Sequence, residues 1–335
     1  MTKEYEPFKP FDGQKIAIVH DSGSSLPEKY RTGYDGLAEV PFKVVSVKDG
    51  RITTWTDSPF ESDDERSMFL DDLESAQMTT SLPSSGDYAK VYKEIIGQGI
   101  NEIAVIPMSS GMSGSMNSAT QAADMLKGEA NISVADVKTV SVGQGLLVTQ
   151  ADIENKAGRF DSAAEVVQRT EELSQNNLYL AQGFSDLAHL RKGGRIGLAA
   201  SMVGGVFGII PVLDVNEEGI LRPVAKKRGW NKAHNAMIEH IVEGVASHDI
   251  NGELGNVAVR LALVQFEPVK YQDLRSRVES MIQKEDDSEE GRKSKFKLEL
   301  NENGEPYETL DCVENMVTAV HSGTGVDGLG VLVIK

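Results

Sequence analysis

Three times in the first half of this chain, a short run of aliphatic residues passes into a loop of small or polar residues and then into helix-like spacing. The segments are KIAIVHDSGSSL, EIAVIPMSSGMSGSMNSA and VKTVSVGQGLLVTQADIENKA. A short, wholly apolar run bounded by turn residues is the pattern of a strand covered on both faces. Strands that alternate with helices build a parallel sheet clothed by helices on both sides. The pattern predicts strands over 16–19, 103–106 and 137–142, and helices over 85–98, 117–126 and from Leu146 onward. In such sheets, ligands sit beyond the carboxyl ends of the strands, where these loops fall.

The second half continues the mixture. Helical spacing is predicted over 163–173, 187–191 and 231–246, and strands over 178–182, 209–215 and 257–264. The EEG turn at 217–219 leads from strand 209–215 into 221–225 as a hairpin. Residues 50–76 form an acidic excursion in which Phe69, Leu70 and Leu73 suit a short amphipathic helix. The run KEDDSEEGRKSKFK (284–297) reads as a solvated surface loop. With 335 residues, the chain is long enough for two ordinary domains.

Charge and cysteine content narrow the function classes. A formal net charge of −17 argues against a nucleic-acid surface. A single cysteine, Cys312, excludes an intramolecular disulfide and a cysteine-rich metal site, and a reducing cytoplasm is the expected location. The first fifteen residues lack the apolar core of a secretory signal. The uncharged stretch 196–213 is interrupted by glycines, Ser201 and Pro211, so it reads as two shorter buried elements rather than a membrane span.

The loop MTTSLPSSGDY gathers Thr79, Thr80, Ser81, Ser84 and Ser85 ahead of a helix. One of the later serines suits an N-cap, whereas the residues before Pro83 are expected to be extended. The loop MSSGMSGSMNS carries Ser109, Ser110, Ser113, Ser115 and Ser118, with Gly111 and Gly114 permitting a sharp turn. A strand-to-helix loop of this kind presents backbone N–H groups to an anion, but neither GxxxxGK[ST] nor GxGxxG occurs within it. Neither loop contains Lys or Arg, which favours a carboxylic acid or carboxylate over phosphate. His321 lies between two apolar, strand-like runs. Ser113, His321 and Asp21 are the residue types of a serine-hydrolase triad, but nothing in the sequence arranges them as one and no GxSxG elbow is present. Basic clusters at Arg191, Lys192 and Arg195, and at Lys226, Lys227 and Arg228, suit an acidic partner.

In family order, DSGSSL (21–26), TTSLPSSGDY (79–88), MSSGMSGSMNSA (108–119), LRKGGRI (190–196) and HSGTG (321–325) together resemble the DegV family. Its better-understood members are fatty-acid-binding subunits of bacterial fatty acid kinase. The resemblance implies an α/β protein of two domains: an N-terminal parallel-sheet α/β domain over 1–161 and a C-terminal α/β domain over 162–335, with a lipid cavity between them. It implies a bound fatty acid as ligand, with no cofactor, no metal and no catalytic residue. The carboxylate would be held by Thr80 and Ser113, with Ser81, Gly114 and His321 as further ligand-binding residues helping through backbone N–H groups, hydrogen bonds or water, and Arg195 and Arg228 would be the candidates for partner contact. The partners implied are a long-chain fatty acid and a separate ATP-dependent kinase subunit serving phospholipid synthesis. Nucleic acid and a transmembrane segment are not expected, and transient contact with a membrane surface is left open. Leu82 and Thr324 depart from the glutamine and proline usual in the family. An enzyme using Ser113, either a serine hydrolase or a phosphotransferase like dihydroxyacetone kinase, is the competing reading. A lipid-sensing regulator is a third.

Overall fold

A computed structural model describes residues 13–31, 36–60, 62–202, 208–247, 258–265, 297–298, 310–313, 315–323 and 325–334. Its first half runs β1 (Ile16–Asp21), a 3₁₀ turn (Ser22–Ser24), α1 (Glu28–Arg31), β2 (Leu37–Val40), β3 (Lys43–Lys48) and β4 (Arg51–Thr56). There follow α2 (Asp63–Ser75), β5 (Gln77–Ser81), α3 (Ser85–Gly97), β6 (Glu102–Ile106), α4 (Ser115–Met125) and β7 (Asn131–Val134). The middle comprises α5 (Val142–Lys156), α6 (Ala163–Asn176), β8 (Leu178–Phe184), α7 (Ala188–Lys192) and a 3₁₀ segment (Gly197–Met202). The remainder is β9 (Ile209–Val215), β10 (Leu221–Arg228), α8 (Trp230–Ser247), β11 (Ala258–Gln265), β12 (Lys297–Leu298), β13 (Leu310–Val313), α9 (Met316–Ser322) and β14 (Val326–Ile334).

Two sheets form the frame. One is parallel, in the order β2-β1-β6-β7; the other is mixed, in the order β10-β9-β8-β14-β11-β12, with β13 also paired to β11. Strand side chains alternate between faces, and both faces of each sheet are covered. On β1, Ile16 and Ile18 join the core shared with α5 and α6, while Ala17 and Val19 join Tyr88, Tyr92 and Ile95 of α3 on the other face. On β14, Leu332 and Ile334 enter that same shared core, while Leu329, Val331 and Val333 pack toward Met237 and Ile241 of α8. The layers therefore run α3/α4, parallel sheet, α5/α6, mixed sheet, α8. Helix α5 lies between two sheets, so even its Gln144, Gln150, Asp152 and Glu154 are buried. Burial on both faces explains why the strands read as continuous apolar runs.

A third sheet, antiparallel in the order β4-β3-β5, sits beside this stack with α2 and α9. Its β3–β4 hairpin turns at Asp49 and Gly50, both with positive φ (50° and 77°), the backbone that a two-residue hairpin needs. The acidic excursion expected over 50–76 thus contains a strand as well as its helix.

Two further expectations are corrected. The strand expected over 137–142 is absent: β7 lies upstream at Asn131–Val134, and α5 already begins at Val142. Lys138 and Ser141 have positive φ (48° and 55°), which interrupts extension. The backbone there bonds to other loops, with Ser109 N–H donating to Thr139 O and Ser141 N–H to Gly23 O. Val137 and Val142 are apolar because they plug the shared core. The run before His321 is helix α9 rather than a strand, capped by the Asn315 side chain, which accepts from Thr318 N–H. Its Met316, Val317, Ala319 and Val320 pack on Val44, Phe69 and Met78. The charge run 284–297 lies, apart from Lys297, outside the described residues, as do Thr324 and 203–207.

Candidate functional site

Asp21, at the carboxyl end of β1, organises the loops around it. Its buried carboxylate accepts from Gly23 N–H, Met108 N–H (3.0 Å), Ser115 Oγ (2.5 Å), Gln144 Nε2 (3.0 Å) and, at 3.4 Å, Tyr88 Oη. Burial raises its pKa, against these donors. The Tyr88 and Ser115 hydroxyls are also 2.7 Å apart. One carboxylate therefore ties the ends of α3, α4 and α5 to the strand edge. The expected position of the Ser/Gly loops beyond the strands follows from this convergence.

Thr80 lies on β5, opposite Val44 of β3. The two-residue alternation sends Met78 and Thr80 inward toward α9, and leaves Thr79 and Ser81 exposed. The Thr80 hydroxyl lies 2.8 Å from His321 Nε2 at the end of α9. His321 Nδ1 is buried and has no hydrogen-bond partner among the described residues. Burial first, then the nearby Arg195 and His189, lower the His321 pKa to about 4, so the ring is neutral at physiological pH. With the proton on Nε2, His321 donates to Thr80 Oγ1 and leaves the Thr80 O–H free to donate elsewhere. The other tautomer would bury an unpaired N–H, which is rarer in proteins than an unpaired acceptor.

The Ser113 loop comes close through Leu82, whose Cδ2 lies 3.2 Å from where a Cβ on Gly114 would be. Ser113 Oγ accepts from Ser115 N–H at 3.1 Å, keeping its own O–H available. The loop is held from the C-terminal half as well. Buried Ser109 donates its hydroxyl to Gly219 O (2.9 Å), and a Cβ on Gly111 would fall 2.5 Å from Glu218 O. Arg195 Nε reaches Met112 O at 3.4 Å, and its Nη1 donates to Gly193 O. A cation thus approaches the loops from the LRKGGRI segment, although neither loop contains one. Arg228 stands apart at the other end of β10, roughly 23 Å along the strand from Leu221.

Helix α9 is fixed by a buried polar cluster. Asp57 Oδ1 accepts from Met316 N–H at 3.0 Å, Asp57 Oδ2 accepts from Ser22 Oγ at 2.6 Å, and Asn315 Nδ2 donates to Ser22 O. Arg31, paired with Glu39 at 2.8 Å, comes within 4.0 Å of Asp57. Burial raises the Asp57 pKa to about 6 against the pull of Arg31.

Thr80, Ser113, Gly114, His321 and Arg195 are therefore gathered in one region, while Ser81 turns its side chain outward. No triad is assembled: the Asp21 carboxylate engages Ser115 and Gln144, and His321 Nε2 faces Thr80. Asp57, Asn315 and Gly193 were not singled out from the sequence; the adjacent glycines of KGGR were the one available signal. Among the described residues, no cluster of His, Cys, Asp and Glu could hold a metal ion, and no helix is long and apolar enough to cross a membrane.

A family model described as "Uncharacterised protein, DegV family" matches residues 15–289. The chain belongs to the DegV family. Among curated relatives, a DegV domain-containing protein of Clostridium acetobutylicum is 28% identical over 229 residues, which is 68% of this chain and 76% of that one. The DegV fold is shared with a fatty-acid-binding DegV family protein from Thermus thermophilus, with a TM-score of 0.74 and 25% identity over 96% of this chain and 100% of that one. It is shared too with a stearic-acid-binding protein from Eubacterium ventriosum, with a TM-score of 0.73 and 24% identity over 95% and 98% of the two chains.

Proposed function

We propose that this DegV chain binds a long-chain fatty acid without chemically transforming it and presents the carboxylate to a separate ATP-dependent kinase. The observation that carries the reading is the Thr80–His321 pair beside the Ser113 loop. It offers neutral hydroxyl donors for a carboxylate and lacks the oriented base that would make either hydroxyl a nucleophile. Hydrogen bonds to an ionised acceptor are roughly twice as strong as neutral ones, which offsets part of the desolvation of the head group.

The acyl chain has apolar surroundings at hand. Met112, next to Ser113, packs against a cluster formed by Phe184, Leu187, Leu190, Leu213 and Leu221. Each buried methylene contributes about 0.8 kcal/mol, so most of the affinity would come from the chain and the orientation from the head group. In this reading the acid lies between the lobes 1–161 and 162–335. The fatty-acid-binding protein from Thermus thermophilus, of the same fold, supports the ligand class. The kinase rests on the motif resemblance, with exposed Arg195 and Arg228 as contacts and the cytoplasm as the location.

Native mass spectrometry of freshly purified protein is expected to show a co-purified long-chain acid. Thr80→Val and Ser113→Ala should each weaken oleate binding by about tenfold or more, since a hydrogen bond to a charged group contributes about 1.5–3 kcal/mol. Unchanged affinity in both variants would overturn the head-group assignment. Turnover of an ester or of ATP by the isolated chain, abolished in Ser113→Ala, would favour the enzyme reading instead.

A further inference from the structure

The imidazole of His321 is bounded on one edge by Thr80 and on another by the backbone of Gly193. A Cβ at position 193 would lie 2.3 Å from His321 Nδ1 and 2.8 Å from Cε1, far inside van der Waals contact. The backbone itself does not call for glycine there, because Gly193 has ordinary right-handed helical angles (φ −77°, ψ −8°). The next residue differs: Gly194 has φ +72°, and a Cβ there would meet nothing within 4 Å. Of the two adjacent glycines, the second serves the turn and the first serves the histidine.

We propose that Gly193 is a positioning residue for the carboxylate site: its missing side chain is the space that lets the His321 ring reach Thr80. The turn that places it is fixed, since Arg195 donates to both Gly193 O and Met112 O. The imidazole, the turn and the Ser113 loop therefore share one backbone scaffold. The same turn also reaches the end of α9 through His189, whose Cδ2 lies 3.1 Å from the position of a Cβ on Gly323. A methyl group at 193 cannot coexist with the ring where it stands, so the ring must shift, and the 2.8 Å contact that orients the Thr80 hydroxyl is disturbed with it.

The binding part of this inference rests on the carboxylate reading above; the placement of the ring does not. The test compares the parent, Gly193→Ala, His321→Ala and the double variant by oleate affinity, and follows His321 in lipid-free protein by imidazole nitrogen NMR against pH. Gly193→Ala is expected to weaken oleate binding about tenfold, the loss of one hydrogen bond to a charged group, with no further loss when His321 is already alanine. In the lipid-free protein, the His321 midpoint should rise from about 4 toward its ordinary 6.5 as the ring gains water. Gly194→Ala should leave that midpoint unchanged. An unmoved His321 titration in Gly193→Ala, or a fully additive loss in the double variant, overturns the proposal. If none of the proteins binds oleate while the titration still moves, the carboxylate reading fails and the positioning role stands. If Gly193→Ala does not fold, recovery in the double variant supports the clash, and failure of both variants overturns it.

Discussion

Thr80 and His321 are 241 residues apart in the chain and 2.8 Å apart in the fold, and their environment determines how the pair responds to acid. His321 is held to a pKa of about 4, and buried His20 likewise to about 4, in both cases chiefly by desolvation. A histidine whose folded pKa lies below its unfolded value stabilises the fold above about pH 6.5 and loses that contribution as pH falls toward 4. Between pH 6.5 and 5, each should cost up to about 2 kcal/mol, from 1.36 kcal/mol per pH unit. Urea midpoints at the two pH values should converge in part in His20→Gln and in His321→Gln; an unaltered slope in both would refute the assignment. At this scale, much of the site was legible. Clustered hydroxyls without a cation pointed to the two loops, the family resemblance singled out Thr80 and Ser113 within them, and strand alternation separates Thr80 from Ser81 once β5 is known. Gly193 was not legible as a partner of His321, because a glycine that makes room for a distant ring resembles any turn glycine.

Helix α9 illustrates the same division at the level of an element. Its apolar spacing was present in the sequence, but its β-branched residues suggested a strand. What makes it a helix in this place is the Asn315 cap together with the Asp57 carboxylate on Met316 N–H, a contact 259 residues long in sequence. Asp57 carries a pH response opposite in sign to that of the histidines. Its folded pKa of about 6 exceeds the ordinary 3.8, so the fold favours its protonated form, and stability is lost as pH rises from about 4 to 6. Asp57→Asn keeps an acceptor for Met316 N–H while removing the titration. It should abolish a loss of up to about 3 kcal/mol across that window, measured by thermal or urea unfolding at pH 4 and pH 7. An unchanged difference between the two pH values would show that Asp57 is not the group responsible. The strand misplaced at 137–142 has a similar origin: core-filling valines in a loop imitate a strand when their backbone partners are unknown.

Across the whole molecule, the parallel and mixed sheets share one helical layer. Ile16, Ile18, Leu146, Leu147, Val166, Leu180, Val264 and Leu332 belong to a single core drawn from both halves. Alternation of strand and helix made the first sheet readable, whereas the sharing of α5 and α6 could not be read, since a strand covered by a helix looks the same whichever sheet lies beyond it. The two tryptophans report on opposite ends of this arrangement, Trp55 beside Phe69 in the small antiparallel sheet and Trp230 beside His234 on α8. The shared core predicts one cooperative transition, so Trp55→Phe and Trp230→Phe, each followed through the remaining tryptophan, should give coincident urea midpoints relative to a common probe such as circular dichroism. Separated midpoints would mean that the halves unfold independently. The return of α9 to the first half also bears on synthesis at the ribosome. A nascent chain has every residue of the Asp21 hub once α5 emerges, yet it has no Thr80–His321 pair until residue 321 has left the exit tunnel. Until then the emerging chain holds the Thr80 hydroxyl without the imidazole that orients it, so the order of synthesis leaves the histidine as the late-arriving partner of the pair.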